Sequence, residues 1–351
     1  MDRGGAETHL VRILPKLRKK GYSLELFVLL PNYDLLNNIN LREVRVYKPL
    51  IQTNLGLKKL KKFLNFINLL YAFIFLFLFS IFNKKTILHF FLPTSYIIGG
   101  LAGYLAGHKK MIMSRRSLNN YQNRSLTIFK YLELFLHRKM NYITGNSTRV
   151  VNQLNTIEKV NLSKLYKIYN GIEIPKITED KNKSMRKKIG INKTDVVFIK
   201  VANLINYKGH KDLINAFINV KNSNWKLLLL GKVVDNTHNK IKKLIYHNGL
   251  HKNVHILGSQ KNVFKFLNIS DVGILVSHEE GFSNALLEYL ACGLPVIGTD
   301  VGGNNEVVIN NYNGKLVKVG NIKEIQTAID YFIINKNLRK KYGRNSIKLI
   351  N

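Results

Sequence analysis

Glu280-Gly-Phe-Ser-Asn-Ala-Leu-Leu-Glu288 is a stretch in which two carboxylates stand on either side of a loop that runs into an apolar helix. Gly281 lets the backbone approach a ligand closely, and Ser283 or Asn284 can cap the helix. The N–H groups of the first helical turn have no acceptor within the helix, and the helix dipole favours an anion in front of them. Such a start suits a nucleotide sugar, because the amides bind the diphosphate and the carboxylates accept hydrogen bonds from hydroxyl groups.

This stretch resembles the Glu-x7-Glu signature of the retaining GT-B glycosyltransferases of family 4, the glycosyl transferases group 1. Other motifs of that family follow in the family's order and cover nearly the whole chain. They are Gly-Gly-Ala-Glu at 4–7, Ser-Arg-Arg-Ser at 114–117, Tyr-Asn-Gly-Ile-Glu at 169–173, Tyr-Lys-Gly-His at 207–210, Gly-Leu-Pro-Val-Ile at 293–297, Asp-Val-Gly-Gly-Asn-Asn-Glu at 300–306 and Asn-Gly at 313–314. The resemblance implies an α/β, GT-B fold, in which two Rossmann-like domains face each other across a cleft.

The resemblance also implies a donor-binding site, carried over position by position. Glu280 would contact hydroxyl groups of the donor sugar, and Glu288 those of the ribose. Lys208 would offset the charge that develops on the leaving diphosphate, so Lys208 and Glu280 are the predicted catalytic residues. The other predicted donor contacts are Gly4, Gly5, Asn203, Gly281, Phe282, Ser283, Asn284 and Leu286.

One departure from the family concerns the leaving-group cations. Relatives usually carry an Arg a few residues before the Lys that corresponds to Lys208, whereas this chain has Asn203, Ile205 and Asn206 in that interval. We therefore expect either a slow enzyme or a basic residue from elsewhere, with Arg3 and Arg116 as the candidates.

The predicted acceptor-binding residues follow strands of the N-terminal half. Arg115 and Arg116 form a pair that suits bidentate recognition of phosphate, although an ordinary surface loop is the alternative. His89 lies near the end of the neighbouring predicted strand and could face the acceptor, while a satisfied core histidine is an equal possibility.

No metal site is predicted. His247, His251 and His255 recur every four residues, as in a metal-ligand ladder, but Gly249 breaks the helix between them, so the rings would not share a face. The sequence also holds no Asp-x-Asp motif, which fits a metal-independent enzyme. The expectation is that no cofactor is needed beyond the donor substrate, a UDP- or GDP-linked sugar.

Alternating strands and helices predict two domains. The predicted helices cover residues 8–20, 94–106, 120–140, 210–220, 238–247 and 284–291, with a surface helix within 176–193, and the predicted strands cover residues 24–30, 44–47, 86–91, 111–114, 142–144, 196–201, 226–230, 254–257, 272–275 and 296–298. Residues 1–170 would form an acceptor-binding, membrane-associating domain, and residues 171–351 a nucleotide-sugar-binding domain. Only three residues precede the Gly-Gly-Ala-Glu loop, where relatives have a strand, and the chain ends at Asn351, where relatives continue through a crossover helix. We therefore expect the first N-terminal strand and the C-terminal end to be missing, which puts the activity of this chain in doubt.

An uncharged, aromatic-rich run extends from Phe63 to Phe82, between lysines at 58, 59, 61 and 62 and lysines at 84 and 85. The run is long enough to cross a bilayer. A single crossing would separate Gly5 from Glu280 and prevent the cleft from forming. The prediction is therefore a helix in the membrane interface, with its lysines on anionic headgroups. A true span and burial in an oligomer are the alternatives.

The formal net charge of +34 calls for an anionic partner. Nucleic acid is not expected, because no nucleic-acid module is readable and the aromatic residues lie mostly in apolar runs. The single cysteine, Cys292, fits a reducing compartment. These features predict a cytoplasmic protein at the inner face of the cell membrane, with an anionic membrane surface, a nucleotide sugar and an acceptor as partners.

The predicted function is transfer of a hexose-type sugar from a nucleotide diphosphate sugar, with retention of configuration. The predicted acceptor is a lipid-linked or saccharide precursor of a surface polysaccharide. Two alternatives remain open. One is a GT-B enzyme that processes the nucleotide sugar itself, such as a 2-epimerase. The other is an inactive membrane-bound scaffold.

Overall fold

The computed structural model of the chain describes residues 5–30, 44–51, 58–124, 126–174 and 180–350. The chain divides into two compact units, Met1–Asn170 and Gly171–Asn351. Each unit alternates strands with helices and is built on a parallel sheet, as the alternation in the sequence predicts.

The first unit has short strands between longer helices. Its elements are α1 (Gly5–Lys19), β1 (Glu25–Phe27), β2 (Arg45–Tyr47), α2 (Lys58–Phe82), β3 (Leu88–Phe91), α3 (Pro93–Leu105), β4 (Met111–Arg115), α4 (Thr127–Lys139), β5 (Tyr142–Gly145), α5 (Thr148–Thr156) and β6 (Leu165–Lys167). Strands β3 to β6 pair in chain order, and β1 pairs with β2 in a separate parallel sheet. Phe90, Met111, Met113, Leu136 and Ile143 lie in the core of the unit.

Two helices of this unit differ from their predicted bounds. The helix predicted over residues 8–20 already begins at Gly5, so Gly5 lies in a helical turn and not in a loop. The helix predicted over residues 120–140 is divided, because a 3-10 turn at Asn119–Arg124 precedes α4.

Helix α2 lies along α3 with one side buried. The buried positions are Asn68, Ala72, Leu76 and Ser80, and their spacing of four residues defines one face of a helix. Asn68 anchors the helix, since its side chain accepts from the Ile51 N–H at 2.8 Å and donates to the Ile51 carbonyl at 3.0 Å. Residues 60–82 are long and apolar enough to cross a membrane, by length and composition alone.

The second unit carries a six-stranded parallel sheet in the order β12-β11-β10-β7-β8-β9. Its elements are α6 (Asp180–Lys188), β7 (Val196–Val201), α7 (His210–Ile218), β8 (Trp225–Leu230), α8 (Thr237–His247), β9 (Val254–Gly258), α9 (Phe264–Leu267), β10 (Val272–Leu275), α10 (Asn284–Ala291), β11 (Val296–Thr299), β12 (Gly314–Val317), α11 (Ile322–Ile334) and α12 (Lys336–Ile350). Most of these elements were predicted from the sequence, but α9, β12, α11 and α12 were not.

This strand order indicates where a ligand would bind. The chain runs outward from β7 through β8 to β9, then returns to the other side of β7 and continues from β10 to β12. In an open parallel sheet the crevice lies at the carboxyl ends of the strands where the order reverses. The loops after β7 and β10 flank that point.

Candidate functional site

Three loops meet at the carboxyl ends of β7, β10 and β11, and two glycines permit the contact. A Cβ on Gly209 would lie 1.8 Å from the Val276 carbonyl oxygen, and one on Gly302 would lie 2.1 Å from that of Glu280. Both glycines have positive φ, +68° and +59°, a region that other residues rarely adopt. Two backbone hydrogen bonds of 2.7 Å, from the His278 N–H to the Tyr207 carbonyl and from the Gly303 N–H to the Gly281 carbonyl, join the loops further.

This convergence brings the two predicted catalytic side chains together. Lys208 Nζ donates to Glu280 Oε1 at 2.7 Å, and the two side chains are only 19% and 8% exposed. Burial by itself lowers the pKa of Lys208, but the attraction and hydrogen bond of Glu280 outweigh burial, so the pKa is raised. Lys208 is therefore charged at neutral pH and already paired.

Helix α10 begins beside this ion pair. Ser283 occupies the N-cap position and Asn284 is the first helical residue, as predicted, although the cap makes no side-chain hydrogen bond within the described part of the chain. The N–H groups of Asn284, Ala285 and Leu286 belong to the first turn, where the helix supplies no acceptor. Glu288 follows one turn later on the same helix and is half-buried.

Two other predicted donor residues have buried side chains. Leu286 is 0% exposed and its side chain packs in the core, so a donor contact there would use its backbone N–H in the first turn of α10. Phe282 is 7% exposed, so a donor contact there would likewise use its backbone N–H.

Asn203 holds two loops together. Its side-chain oxygen accepts from the Lys232 N–H at 3.2 Å, which ties the loop after β7 to the loop after β8. Gly231 reinforces this junction, because a Cβ there would lie 2.0 Å from the Ala202 carbonyl oxygen. Asn203 therefore positions the strand ends around Lys208.

Lys200, a lysine near the end of β7, was not among the residues predicted for the site. Its side chain is 0% exposed, and its Nζ has no hydrogen-bond partner among the described residues. Burial and, secondly, repulsion from Lys208 lower its pKa to about 7, against the attraction of Glu280 and Asp212. The sequence could have indicated this residue, because Lys200 is the one polar residue in the apolar strand Val-Val-Phe-Ile-Lys-Val.

In the first unit, the structure corrects the acceptor role predicted for Arg115. The guanidinium is 3% exposed and lies 2.8 Å from Glu133 Oε1 and 2.7 Å from Glu158 Oε2. Glu133, His137 and Glu158 place possible metal-ligand atoms within 4.8 Å of one another, but Arg115 already supplies the cation of this cluster. Arg115 is therefore a structural residue and cannot reach an acceptor.

Arg116 and His89 remain near the surface of the same unit, at the ends of β4 and β3. Arg116 donates to Asn170 Oδ1 at 2.5 Å, and His89 Nε2 lies 2.8 Å from Ser114 Oγ. Burial, together with the Arg116 charge, lowers the pKa of His89 to about 4, so its ring is neutral at pH 7. Burial also lowers the pKa of Arg116 to about 10, and Glu7 opposes this shift.

The start of α1 belongs to the same group of residues, because Glu7 and His9 both interact electrostatically with Arg116. The structure thus gathers Glu7, His9, His89 and Arg116 at one end of the first unit. Gly4 and Arg3 lie outside the described residues. The three histidines of the rejected ladder lie on α8, on the following 3-10 turn and on β9, respectively.

Family models match both halves of the chain. Residues 181–349 match the model of glycosyl transferases group 1, and residues 3–175 match the model of glycosyltransferase family 4.

Curated relatives agree with these matches. The chain is 28% identical over 270 residues to the capsular polysaccharide biosynthesis glycosyltransferase CapM of Staphylococcus aureus, covering 74% of this chain and 70% of that protein. It is also 28% identical over 205 residues to N-acetyl-alpha-D-glucosaminyl L-malate synthase of Bacillus anthracis, covering 58% of this chain and 53% of that protein. A third relative is N-acetylgalactosamine-N,N'-diacetylbacillosaminyl-diphospho-undecaprenol 4-alpha-N-acetylgalactosaminyltransferase of Campylobacter jejuni, with 28% identity over 64% of this chain and 58% of that protein.

Solved structures share the fold over nearly the whole chain. Anabaena Alr3699/HepE in complex with UDP and glucose superposes with a TM-score of 0.82 at 18% identity, covering 99% of this chain and 91% of that one. A glycosyltransferase from Rickettsia africae gives a TM-score of 0.81 at 20% identity, with 99% and 90% covered. Because the two family models together match almost the entire sequence and the fold agrees, this chain belongs to the group 1 glycosyltransferases and has the GT-B fold.

Proposed function

We propose that this protein transfers a hexose-type sugar from a UDP- or GDP-linked donor to a lipid-linked or saccharide acceptor, with retention of configuration and without a metal ion. The observation that carries the proposal is the Lys208–Glu280 ion pair at 2.7 Å, beside the helix start that also bears Glu288. This arrangement offers a cation, backbone amides and two carboxylates within one loop-helix junction.

The roles follow from charge and position. A diphosphate carries negative charge, so it binds where the first-turn N–H groups of α10 and the Lys208 ammonium lie together. When the diphosphate engages Lys208, the Glu280 oxygens become available to hydroxyl groups of the donor sugar. Glu288 then accepts from the ribose. Lys208 stabilises the charge that grows on the leaving group as the glycosidic bond breaks.

The proposed mechanism needs no metal ion, because Lys208 and the helix dipole of α10 can take its place. Lys208 and the start of α10 supply the positive charge that a metal would otherwise bring to the leaving diphosphate. No side chain is assigned as the base for the acceptor hydroxyl, because in the proposed mechanism the leaving phosphate takes that proton.

The acceptor is assigned to His89 and Arg116 in the first unit. Arg116 is a cation that can bind a phosphate of a lipid-linked acceptor, and His89 offers a neutral ring for a hydroxyl group. The Campylobacter relative is named for a diphospho-undecaprenol acceptor, which supports the lipid-linked alternative here.

Membrane attachment is the second part of the proposal. The outward face of α2 carries large apolar side chains at Phe63, Phe66, Leu70, Ile74 and Leu78, which are between 48% and 64% exposed. These positions repeat at three or four residues and so form one stripe, opposite the face that packs on α3. A helix with one face packed on its own domain and an apolar face outside fits a position in the membrane interface.

Lysines lie at both ends of this stripe. Lys61 and Lys62 are exposed near the start of α2, and Lys85, Lys109 and Lys110 are exposed beyond its end. Because lysines close to an anionic leaflet are attracted to it, their placement favours an anionic surface. We therefore place the protein in the cytoplasm, peripherally bound to the inner face of the cell membrane.

The test is an assay of the purified chain with UDP- and GDP-sugars and a polyprenyl diphosphate-linked acceptor in anionic vesicles. The expected result is an α-linked product that requires the acceptor, survives chelation of divalent metals and is lost in Glu280→Gln. A β-linked product would overturn retention, and loss of activity on chelation would overturn the metal-independent mechanism. A product formed equally well without acceptor would instead indicate an enzyme that acts on the nucleotide sugar itself.

A further inference from the structure

Lys200 is a lysine in the interior of an otherwise apolar central strand. It is fully buried, and no described residue accepts a hydrogen bond from its Nζ. Since side chains alternate along a strand, Lys200 shares a face with Val196 and Phe198, which belong to the core cluster that α7 covers. A buried ammonium without a partner is costly, so a lysine at this place calls for a specific explanation.

The groups that face Lys200 come from two loops and one helix. Lys208 lies on the 3-10 turn after β7, Glu280 on the loop after β10, and His210 and Asp212 on the first turn of α7. Their charges largely cancel. Lys208 and Glu280 neutralise each other at 2.7 Å.

The α7 groups add only a partial counter-charge. Asp212 attracts Lys200, but its carboxylate is also hydrogen-bonded to the exposed His278 at 2.5 Å. His210 is buried, and burial together with Lys200 and Lys208 holds its pKa well below the ordinary value, so its ring is neutral. Lys200 therefore lies close to the Lys208–Glu280 ion pair, whose two charges offset each other as long as no anion is bound.

A bound diphosphate would break that balance. Its negative charge beside Lys208 adds an attraction that reaches Lys200 through a poorly screening interior. The amine of Lys200, with a pKa of about 7, is close to half protonated at neutral pH and can respond to such a change.

We propose that Lys200 is a second cationic positioning residue of the donor site, which takes up a proton from solvent when a diphosphate binds beside Lys208. The neutral amine gains the proton and becomes an ammonium, so the positive charge of the site rises with the negative charge of the ligand. Lys200 acts through the Lys208–Glu280 pair and not by touching the substrate. This inference rests on the proposed donor site.

The inference also accounts for the departure at Asn203. Where relatives carry an Arg before the catalytic Lys, this chain has an Asn that binds the Lys232 backbone. Lys200 stands three residues earlier, inside β7, and would supply a cation from the interior of the unit. Arg3 lies outside the described residues, and Arg116 is paired with Asn170 in the first unit.

The test measures proton uptake on binding. The full chain is titrated with UDP, GDP and inorganic pyrophosphate at pH 8 in two buffers of different ionisation enthalpy, and the difference in binding heat gives the protons taken up. The wild type is expected to take up a fraction of one proton more than Lys200→Met, since protonation of the ligand's own phosphates is common to both. Lys211→Met, on the exposed side of α7, should behave as the wild type.

Two further readouts separate a charge effect from a packing effect. Affinity of the wild type should fall as pH rises above 7, whereas Lys200→Met should bind roughly tenfold or more weakly at pH 6.5 and lack that pH dependence. Lys200→Arg, which keeps a permanent charge, should bind well without proton uptake, and it serves as the second variant if Lys200→Met does not fold.

The outcomes are distinguishable. Binding with the same proton uptake in the wild type and both Lys200 variants overturns this inference and leaves the donor site standing. No binding of any of the three probes by the wild type overturns the proposed donor site and this inference with it.

Discussion

Lys208 Nζ lies 2.7 Å from Glu280 Oε1, so the cation predicted for the leaving group and the carboxylate predicted for the sugar form one ion pair. Both side chains are mostly buried, and charges interact more strongly there than at the surface. The pair holds each group at the helix start before the donor arrives. In the proposed donor site a diphosphate would compete with Glu280 for Lys208, which would couple donor binding to release of the carboxylate.

Lys208→Met should lower turnover by roughly a hundredfold, because it removes one preorganised charge from the leaving group. Lys211→Met, three residues further along the chain and exposed, is the matched control and should keep wild-type turnover. Initial rates of donor hydrolysis and sugar transfer measure the difference. Equal rates in the two variants would show that Lys208 serves only to pair with Glu280.

Glu280→Gln and Glu288→Gln should separate the two carboxylates. Glu280→Gln is expected to reduce transfer strongly while nucleoside diphosphate affinity is largely kept, since Glu280 is assigned to the sugar. Glu288→Gln should weaken nucleoside diphosphate binding by about 1.5–3 kcal/mol, the contribution of a hydrogen bond to a charged group. Calorimetric titration with UDP and GDP measures both affinities. The same loss of affinity in the two variants would contradict this division.

The second unit was the more predictable part of the fold. The apolar runs predicted β7 and β10 at their observed bounds and β11 within one residue, and α10 was predicted at its observed bounds, 284–291. Parallel strands that are covered on both faces appear in the sequence as continuous apolar runs, so they are easy to recognise. Lys208 and Glu280 follow these strand ends, and their predicted roles came from the family resemblance.

The sequence could not show which polar residues the core would bury. Arg115 and Arg116 are adjacent and identical in type, yet alternation along β4 sends Arg115 into the Glu133–Glu158 cluster and leaves Arg116 near the surface. The partners of Arg115 are 18 and 43 residues away. Such pairing depends on tertiary contacts that no local pattern encodes.

Arg115→Met should destabilise the protein, because it leaves the carboxylates of Glu133 and Glu158 buried without their cation. Breaking a buried ion pair by removing one partner costs about 3–5 kcal/mol. Arg116→Met is the matched control, and it should reduce sugar transfer with a smaller loss of stability. Urea unfolding of each variant gives the free energies. A stability loss for Arg115→Met no larger than that for Arg116→Met would argue against the structural role.

Lys200→Met should stabilise the protein in a pH-dependent manner. The pKa of Lys200 is about 7 in the folded chain against an ordinary 10.5, so between these values the unfolded chain binds more protons. Wild-type stability therefore gains up to about 1.4 kcal/mol per pH unit from this group as pH rises through the window. The stability of Lys200→Met does not rise in this way. Its free energy of unfolding should therefore exceed that of the wild type most at pH 7 and below.

Urea midpoints of wild type and Lys200→Met at pH 7, 8 and 9 measure the difference. Lys226→Met is the control, since Lys226 is a strand lysine whose Nζ donates to the Lys252 carbonyl at 2.8 Å. A stability difference that stays constant across the three pH values would mean that Lys200 is not a buried, titrating amine.

Membrane binding should depend on the outward face of α2 and not on its aromatic content as such. Phe75 lies against Phe27 and Tyr47, with ring centroids 4.8 and 4.9 Å away, so substitutions there would disturb the fold. Replacing Phe63, Phe66, Leu70 and Ile74 with Ser should instead remove only exposed apolar surface.

The wild type is expected to sediment with anionic vesicles, to bind neutral vesicles less, and to be released only in part by high salt. The lysine attraction, about 1 kcal/mol per residue, is screened by salt, whereas the apolar insertion is not. The four-Ser variant should stay in the supernatant and keep its rate of donor hydrolysis.

A wild type that remains unbound to anionic vesicles at low salt would contradict membrane attachment and favour burial of this face against another protein. Protection of α2 as a spanning segment in sealed vesicles, measured by protease digestion from one side, would contradict the interfacial position.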